Sequence, residues 1–392
     1  MSGRDAGRVA DVIIVGGGLM GTATAFFLRQ HGRSVIVLER DLVGQAASGA
    51  SFGNIRRQGR FLPQMPLANR SREIWGRLPE LLGEDAEFTA TGHLRVCFRP
   101  EEIGRMEDYA RDALSYGLDL ELISRNAIRD RFPFLSPDAL MVSHSPLDGH
   151  ANPRLAAPAF ARAARRAGAA VIENVEVLSI GKSSEDFRVE TRETGTFRAP
   201  IVQISTGAWG ARMSAAFGEH VPLTVRGPQM GVTEPVPYRI PQVMGIHTSV
   251  QEEGVYLRQV KRGNIVFGGG ERTIASLETK RAVLDPRNTL RQLPHLRTLL
   301  PAMGPLRVIR TWSGVEGYVA DDLPVIGPSA KVAGLYHAFG FCGHGFQLGP
   351  GIGATMAELI STGETSVPIA PFHVARFVNS PILPATGRLH LE

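Results

Sequence analysis

An α/β fold that opens with a doubly wound, Rossmann-like dinucleotide-binding unit is what this sequence predicts, on three observations. A run of β-branched residues ends in a glycine-rich turn. That turn opens a helix, and a second apolar run closes on an acid. At 392 residues the chain is also too long for one simple core, so two interlocked domains are expected.

The apolar run DVIIVG (Asp11–Gly16) is what a buried parallel strand requires. Gly16, Gly18 and Gly21 then form G-x-G-x-x-G: the first permits a tight turn, the second admits a pyrophosphate, and the third lets helix and strand pack closely. LMGTATAFFLRQHG follows as a helix ending at Gly32, its N-terminal N–H groups and positive dipole end facing the phosphates. SVIVLER is the second strand. Glu39 closes it eighteen residues after Gly21, where a carboxylate can hold a ribose diol and disfavours a 2′-phosphate. Next comes LVGQAASGASFGNIRRQG (Leu42–Gly59), small residues rather than another βαβ unit. Backbone can run close to a bulky cofactor there, which favours a flavin over a nicotinamide.

Composition is globular, with 43% hydrophobic and 21% charged residues. The net charge of +5 is spread along the chain, densest in NIRRQGR (Asn54–Arg60) and ARAARRAG (Ala161–Gly168). Both read as solvated faces, and no nucleic-acid partner is expected. Two cysteines, Cys97 and Cys342, fit neither a metal site nor a disulfide framework and suit a reducing cytoplasm. No apolar run has the length of a membrane span, and the leader MSGRDAGRVA lacks the h-region of a secretory signal.

Four later segments carry a resemblance. VIENVEVLSI (Val171–Ile180) reads as a strand, and APIVQISTGAWGARM (Ala199–Met213) as a strand ending in a Gly-Ala-Trp turn. DDLPVIGP (Asp321–Pro328) is a strand entry. LYHAFGFCGHGFQLGPGIGATMAELI (Leu335–Ile360) is a strand, a glycine-rich loop and a helix. Together they resemble the D-amino-acid oxidase superfamily of FAD enzymes. VRGPQMGVTEPVP, YLRQVKRGNIVFGGGE and DGHANPRLAAPAFARAA look like the β subunits of heteromeric opine oxidase, hydroxyproline dehydrogenase, hydrogen cyanide synthase and sarcosine oxidase, with Pro228 an apparent insertion.

That resemblance implies an FAD-binding domain of residues 1–84, 147–214 and 306–370, interrupted by a mostly antiparallel substrate domain of 85–146 and 215–305, with a C-terminal tail of 371–392. FAD contacts are expected from Gly16, Gly18, Leu19, Met20 and Gly21 in the first turn, and from Glu39 and Arg40 after the second strand. Ala47, Ser48, Ser51, Gly53, Asn54 and Ile55 follow in the small-residue loop. Val175, Thr206, Gly207 and Trp209, and then Gly343, His344, Gly345, Phe346 and Gln347, complete the set. The glycines around His344 also precede a helix whose N-terminus can stabilise negative charge on a reduced flavin.

The implied reaction is oxidation of the C–N bond of a secondary amine or amino acid of opine, proline, hydroxyproline or sarcosine type. Such a substrate needs its carboxylate clamped, which a bidentate arginine does well. Arg56 is the favoured neighbour of the flavin, Arg57 the adjacent option, and Arg258 and Arg310 are further clamps on strands. Tyr256 is placed to hydrogen-bond substrate and His344 to polarise flavin or accept a proton, while Glu316 and Asp322 orient the loop.

Departures from the family pattern matter as much. Trp312 stands where monomeric sarcosine oxidase has its FAD-linked cysteine, and Pro153 where the heterotetrameric enzyme's β chain has its FMN-linked histidine. FAD is therefore expected to be non-covalent, and any FMN to be held untethered at a subunit interface. Gln347 replaces a cationic carboxylate ligand, and a strand lysine that promotes oxygen reactivity is missing from NIVFGGGE. The expected partners are a second flavoprotein subunit and a small iron–sulfur subunit. A self-contained glycine or D-amino-acid oxidase is the alternative, and a tRNA-modifying flavoprotein a remote one.

Overall fold

The computed structural model describes residues 8–301 and 305–378. The leader and the tail beyond 378 lie outside the described residues. A six-stranded sheet runs in the order Val325–Pro328, Leu335–Phe339, Ile201–Ile204, Val12–Val15, Val35–Leu38, Ala170–Ile172. All neighbours are parallel except the first pair. Val12 and Ile14 face the helices Leu19–Gln30, Pro153–Arg166 and Gly345–Thr362, while Ile13 and Val15 face the opposite side. Burial on both faces is why these strands read as unbroken apolar runs.

On the second face the short helix Gly210–Ala215 lies against the strands Ile201–Ile204 and Leu335–Phe339. A three-stranded antiparallel sheet, Val177–Lys182, Phe187–Thr191 and Gly195–Ala199, packs Phe187, Val189 and Phe197 against Ile13, Ile36 and Leu38. The segment expected as one strand over Val171–Ile180 is accordingly two strands. Asn174, at φ 60°, turns the chain between them, and Asn174 and Val175 donate their N–H groups to Asp41 and Glu39 carbonyls. An asparagine tolerates that left-handed conformation better than a β-branched residue would.

An eight-stranded sheet builds the second layer, in the order Val308–Ser313, Gln229–Pro235, Asn264–Gly269, Val255–Gln259, Val243–His247, His93–Cys97, Met141–Ser145, Glu121–Ser124. Its neighbours are antiparallel except Val243–His247 with His93–Cys97. One face packs Leu94, Val96, Leu257 and Phe267 against Leu296 and Leu299 of the helix Pro286–Leu299. The other face looks across a cavity at the first unit. Val308–Ser313, though within the 306–370 segment, is this sheet's edge strand. The start of the 371–392 tail folds back, burying Phe372 and Val374. Among the described residues no helix is long and apolar enough to cross a membrane.

Candidate active site

A cavity of about 800 Å³ runs from the glycine turn to the inward face of the eight-stranded sheet. At its nucleotide end Gly16 has φ +107°, and a Cβ there would lie 2.5 Å from the Ser205 carbonyl oxygen, so only glycine fits. A Cβ on Gly21 would strike the Gly16 carbonyl, which is the close helix–strand packing expected of the third glycine. The helix Leu19–Gln30 begins at Gly18 with no side-chain cap of its own residue, and Ser48 Oγ accepts the Leu19 N–H at 3.0 Å. Glu39 accepts N–H bonds from Gly17 at 2.6 Å and Asp41 at 2.8 Å, while burial pushes its carboxyl above the usual range. Arg40 stacks 4.5 Å over the Trp209 ring.

Most of the expected cofactor residues line this cavity. They are Gly16, Gly18, Leu19, Met20, Glu39, Arg40, Ala47, Ser48, Ser51, Asn54, Val175, Thr206, Gly207, Trp209, and Gly343 through Gln347. Gly21, Gly53 and Ile55 lie behind the lining: Gly53 turns at φ +87° against Ala151, and Ile55 is fully buried in the core.

The loop around His344 is held from outside. Glu316 accepts hydrogen bonds from the Gly343 N–H at 2.8 Å and the Tyr318 hydroxyl at 2.9 Å, so it orients the loop as expected. Burial raises its carboxyl. Cys342, at φ 52°, tucks its thiol against the Val319 N–H and Gly340 carbonyl, and burial drives that thiol far up, so it is a packing group. Gln347 donates to the Ala68 carbonyl at 2.8 Å, and Trp312 to the Ala50 carbonyl at 2.9 Å.

The expected clamps separate. Arg56 lines the cavity and donates to the Gln58 and Gly59 carbonyls. Arg57 does not: its Nε donates to Asp148 at 2.9 Å in a buried ion pair. Arg258 points inward, yet its Nε donates to the Phe52 carbonyl at 2.8 Å and it stands outside the lining, bracing the small-residue loop. Arg310 is exposed on the edge strand and does not reach the cavity. Tyr256 lines it, edge-on to Phe52 at 4.8 Å, its hydroxyl 3.5 Å from Met230 Sδ. His344 lines it too. Burial first, then the charges of Arg60 and Arg56, hold that imidazole neutral, and its Nδ1 is buried without a partner.

Among the lining residues that were not expected are Arg60, His93 and Arg95. Arg60 is 2% exposed, so NIRRQGR is not a solvated face, because Arg57 and Gln58 are buried as well. The ARAARRAG arginines do stay outside, pairing with Glu84 and Glu173. His93 and Arg95 alternate with the core residues Leu94 and Val96, so strand periodicity alone would have set both on the inward face. Gln58 ties His93 to the loop, its Nε2 2.8 Å from His93 Nδ1.

The residues fit a dinucleotide cofactor with a substrate beyond it. Five buried polar atoms of the lining have no hydrogen-bond partner: Thr206 Oγ1, Asn54 Oδ1, His344 Nδ1, Gln347 Oε1 and Arg60 Nη1. Orphans at that density mark a ligand site, since buried polar groups are otherwise satisfied.

The model of a family described as "DAO: FAD dependent oxidoreductase" matches residues 11–359. Glycine oxidase of Geobacillus kaustophilus (strain HTA426) is 30% identical, the match covering 94% of this chain and 97% of that one. The beta chain of sarcosine oxidase from Arthrobacter sp. is 26% identical over 96% of this chain and 93% of that one. The crystal structure of L-proline dehydrogenase from P. horikoshii superposes with a TM-score of 0.88, at 26% identity over 95% of this chain and 98% of that one.

Proposed function

The chain belongs to the DAO family of FAD-dependent oxidoreductases, and from that premise we propose that it oxidises the C–N bond of a carboxylate-bearing secondary amine or amino acid. One observation carries the reading: a single cavity joins the glycine turn to an end lined by arginines and a neutral histidine. FAD held along the cavity from Gly16 and Glu39 to the His344 loop would supply a two-electron acceptor for oxidation of the carbon beside nitrogen.

The chain's own residues do the rest. Arg56 and Arg60 bind the substrate carboxylate and so fix the carbon's position. His344, kept uncharged, accepts a hydrogen bond from the substrate amine at Nδ1 without repelling it. The eight-stranded sheet, through Met230 and Tyr256, closes the site against water. The untethered FAD expected from Trp312 and Pro153 is part of the same reading. So is the cytoplasmic setting, which the two buried cysteines, not joined in a disulfide, fit.

We further propose that electrons leave to partner subunits, a second flavoprotein with FMN at the interface and a small iron–sulfur protein. The likeness to the beta chain of sarcosine oxidase, one component of a larger enzyme, supports this. Similarity to a glycine oxidase favours a second reading, a self-contained oxidase producing hydrogen peroxide. The test follows carbonyl product from an amine with oxygen or an artificial acceptor as oxidant. Product formed only with the acceptor supports the dehydrogenase. Stoichiometric peroxide from the isolated chain sinks it in favour of the oxidase. No carbonyl with either oxidant overturns the oxidation reading itself.

A further inference from the structure

A short hairpin, Thr273–Ser276 with Arg281–Ala282, follows the strand Asn264–Gly269 of the eight-stranded sheet and reaches across to the dinucleotide-binding unit. Leu277, Glu278 and Lys280 at its tip line the cavity beside Arg40, Asp41 and Trp209. Two bonds fasten the tip there. Lys280 Nζ donates to the Asp41 carboxylate at 2.8 and 3.1 Å, just past the strand Val35–Leu38. The Trp209 indole N–H donates to the Leu277 carbonyl at 3.3 Å. Glu278, between them, feels the charge of Arg212 on the helix Gly210–Ala215.

The hairpin is firm at its base and lightly held beyond it. Asn288, on the helix Pro286–Leu299, donates to the Glu271 carbonyl at 3.1 Å, and the Thr273 hydroxyl to the Gly227 carbonyl at 3.0 Å. Its pairing with the strand Leu223–Gly227 runs no further than Arg226 with Ile274 and Gly227 with Thr273. Ile274 is 70% exposed and Val283 58%, so apolar burial does little to seat it. An element with few buried contacts opens at low cost. At the tip Ser276 Oγ accepts the Thr279 N–H at 3.2 Å and donates to Glu278 at 3.0 Å, closing a compact turn. Lys280 sits at φ 56°, a conformation a lysine enters at a cost, and there its ammonium meets Asp41.

We propose that this hairpin is a strap over the glycine-turn end of the FAD site, fastened by Lys280 to Asp41 and by Trp209 to Leu277, and that FAD enters and leaves when it lifts. The strap rests on the untethered FAD of the reading above, and not on which amine is oxidised. Both fastenings join protein groups to protein groups, so they resist entry as well as release. The Lys280 and Asp41 side chains are each 41% exposed. A pair so open to solvent contributes little and is screened by salt, which suits a catch that has to open.

FAD exchange on the full chain tests the strap. Association with flavin-stripped protein is read by quenching of flavin fluorescence, and release from loaded protein by its recovery on dilution. Lys280→Met should raise both rates by about two- to fivefold and leave the dissociation constant nearly unchanged. Salt at about 0.5 M should bring the unaltered chain close to the variant and move the variant little. In an Asp41→Asn background Lys280→Met should add nothing. Melting temperature reports folding; should the stripped chain unfold, release from the loaded chain and its coupling to Asp41 carry the test. Unchanged rates overturn the strap. So does faster release with unchanged association, which would make Lys280 a ligand of FAD and not a catch, and so does an equal effect in the Asp41→Asn background. Flavin that stays with acid-precipitated protein would overturn the untethered reading and the strap together, whereas unchanged rates with freely released flavin would overturn the strap alone.

Discussion

At the glycine-turn end the cavity is built on backbone geometry; at the other end it is built on side chains. Gly16, the start of the helix Leu19–Gln30 and the Glu39 carboxylate form the first within thirty residues of one another. The second is assembled from Arg56 and Arg60, His93 and Arg95, Tyr256, and His344, four stretches drawn from most of the chain. A backbone cradle tolerates little change because its shape is the site. A side-chain end can be retuned residue by residue, which is how one fold serves many substrates.

The largest expected effect breaks the backbone end. Gly16→Ala adds a Cβ 2.5 Å from the Ser205 oxygen at a φ of +107°. Strain and overlap together should cost at least about 3 kcal/mol, more than a hundredfold in FAD affinity. The protein should purify colourless, as its visible spectrum will show. Arg60→Gln breaks the other end in the opposite manner. FAD content should be retained, kcat/KM should fall about a hundredfold from the loss of a charge-assisted bond, and melting temperature should hold or rise once an unmatched buried charge is gone.

A pH titration sharpens the same contrast. Burial, reinforced by Arg56, lowers Arg60 to about 9. Loss of the guanidinium's charge would weaken affinity for an ionised carboxylate such as butyrate as pH rises through about 9. Occupancy by the anion moves the midpoint upward. FAD affinity, which depends on backbone N–H groups, should stay level across that window. Stability shifts the other way: the folded state resists protonation of Arg60, so its stability should recover as pH climbs from about 9 towards the ordinary arginine range.

How much could be read from the sequence follows from the same division. That Gly16, Gly18 and Glu39 line one cavity was legible because a tight turn, a helix start and a strand end each demand a particular residue at a fixed local spacing. The His344 loop was legible for similar reasons. Arg258 shows where periodicity stops: it faces inward, but alternation gives a face and not a depth, and one pleat beyond Tyr256 it meets the Phe52 carbonyl instead of the cavity. Arg310 shares that face on an edge strand, where nothing covers it. Arg60 was hidden by its neighbours, since a run of charge reads as solvated until the fold buries it. The smallest expected effect follows from the same geometry. Arg310→Ala should change kcat/KM and stability by no more than about 0.5 kcal/mol, measured beside Arg60→Gln as its counterpart.

The most direct test is anaerobic. FAD-loaded protein is mixed with carboxylate-bearing secondary amines and amino acids, and the flavin's visible band is followed in time. Bleaching of one flavin per substrate oxidised is expected, with Arg60→Gln slowing it at unchanged FAD content. A flavin that dithionite bleaches but that none of these amines reduces would contradict the assignment of this cavity to amine oxidation.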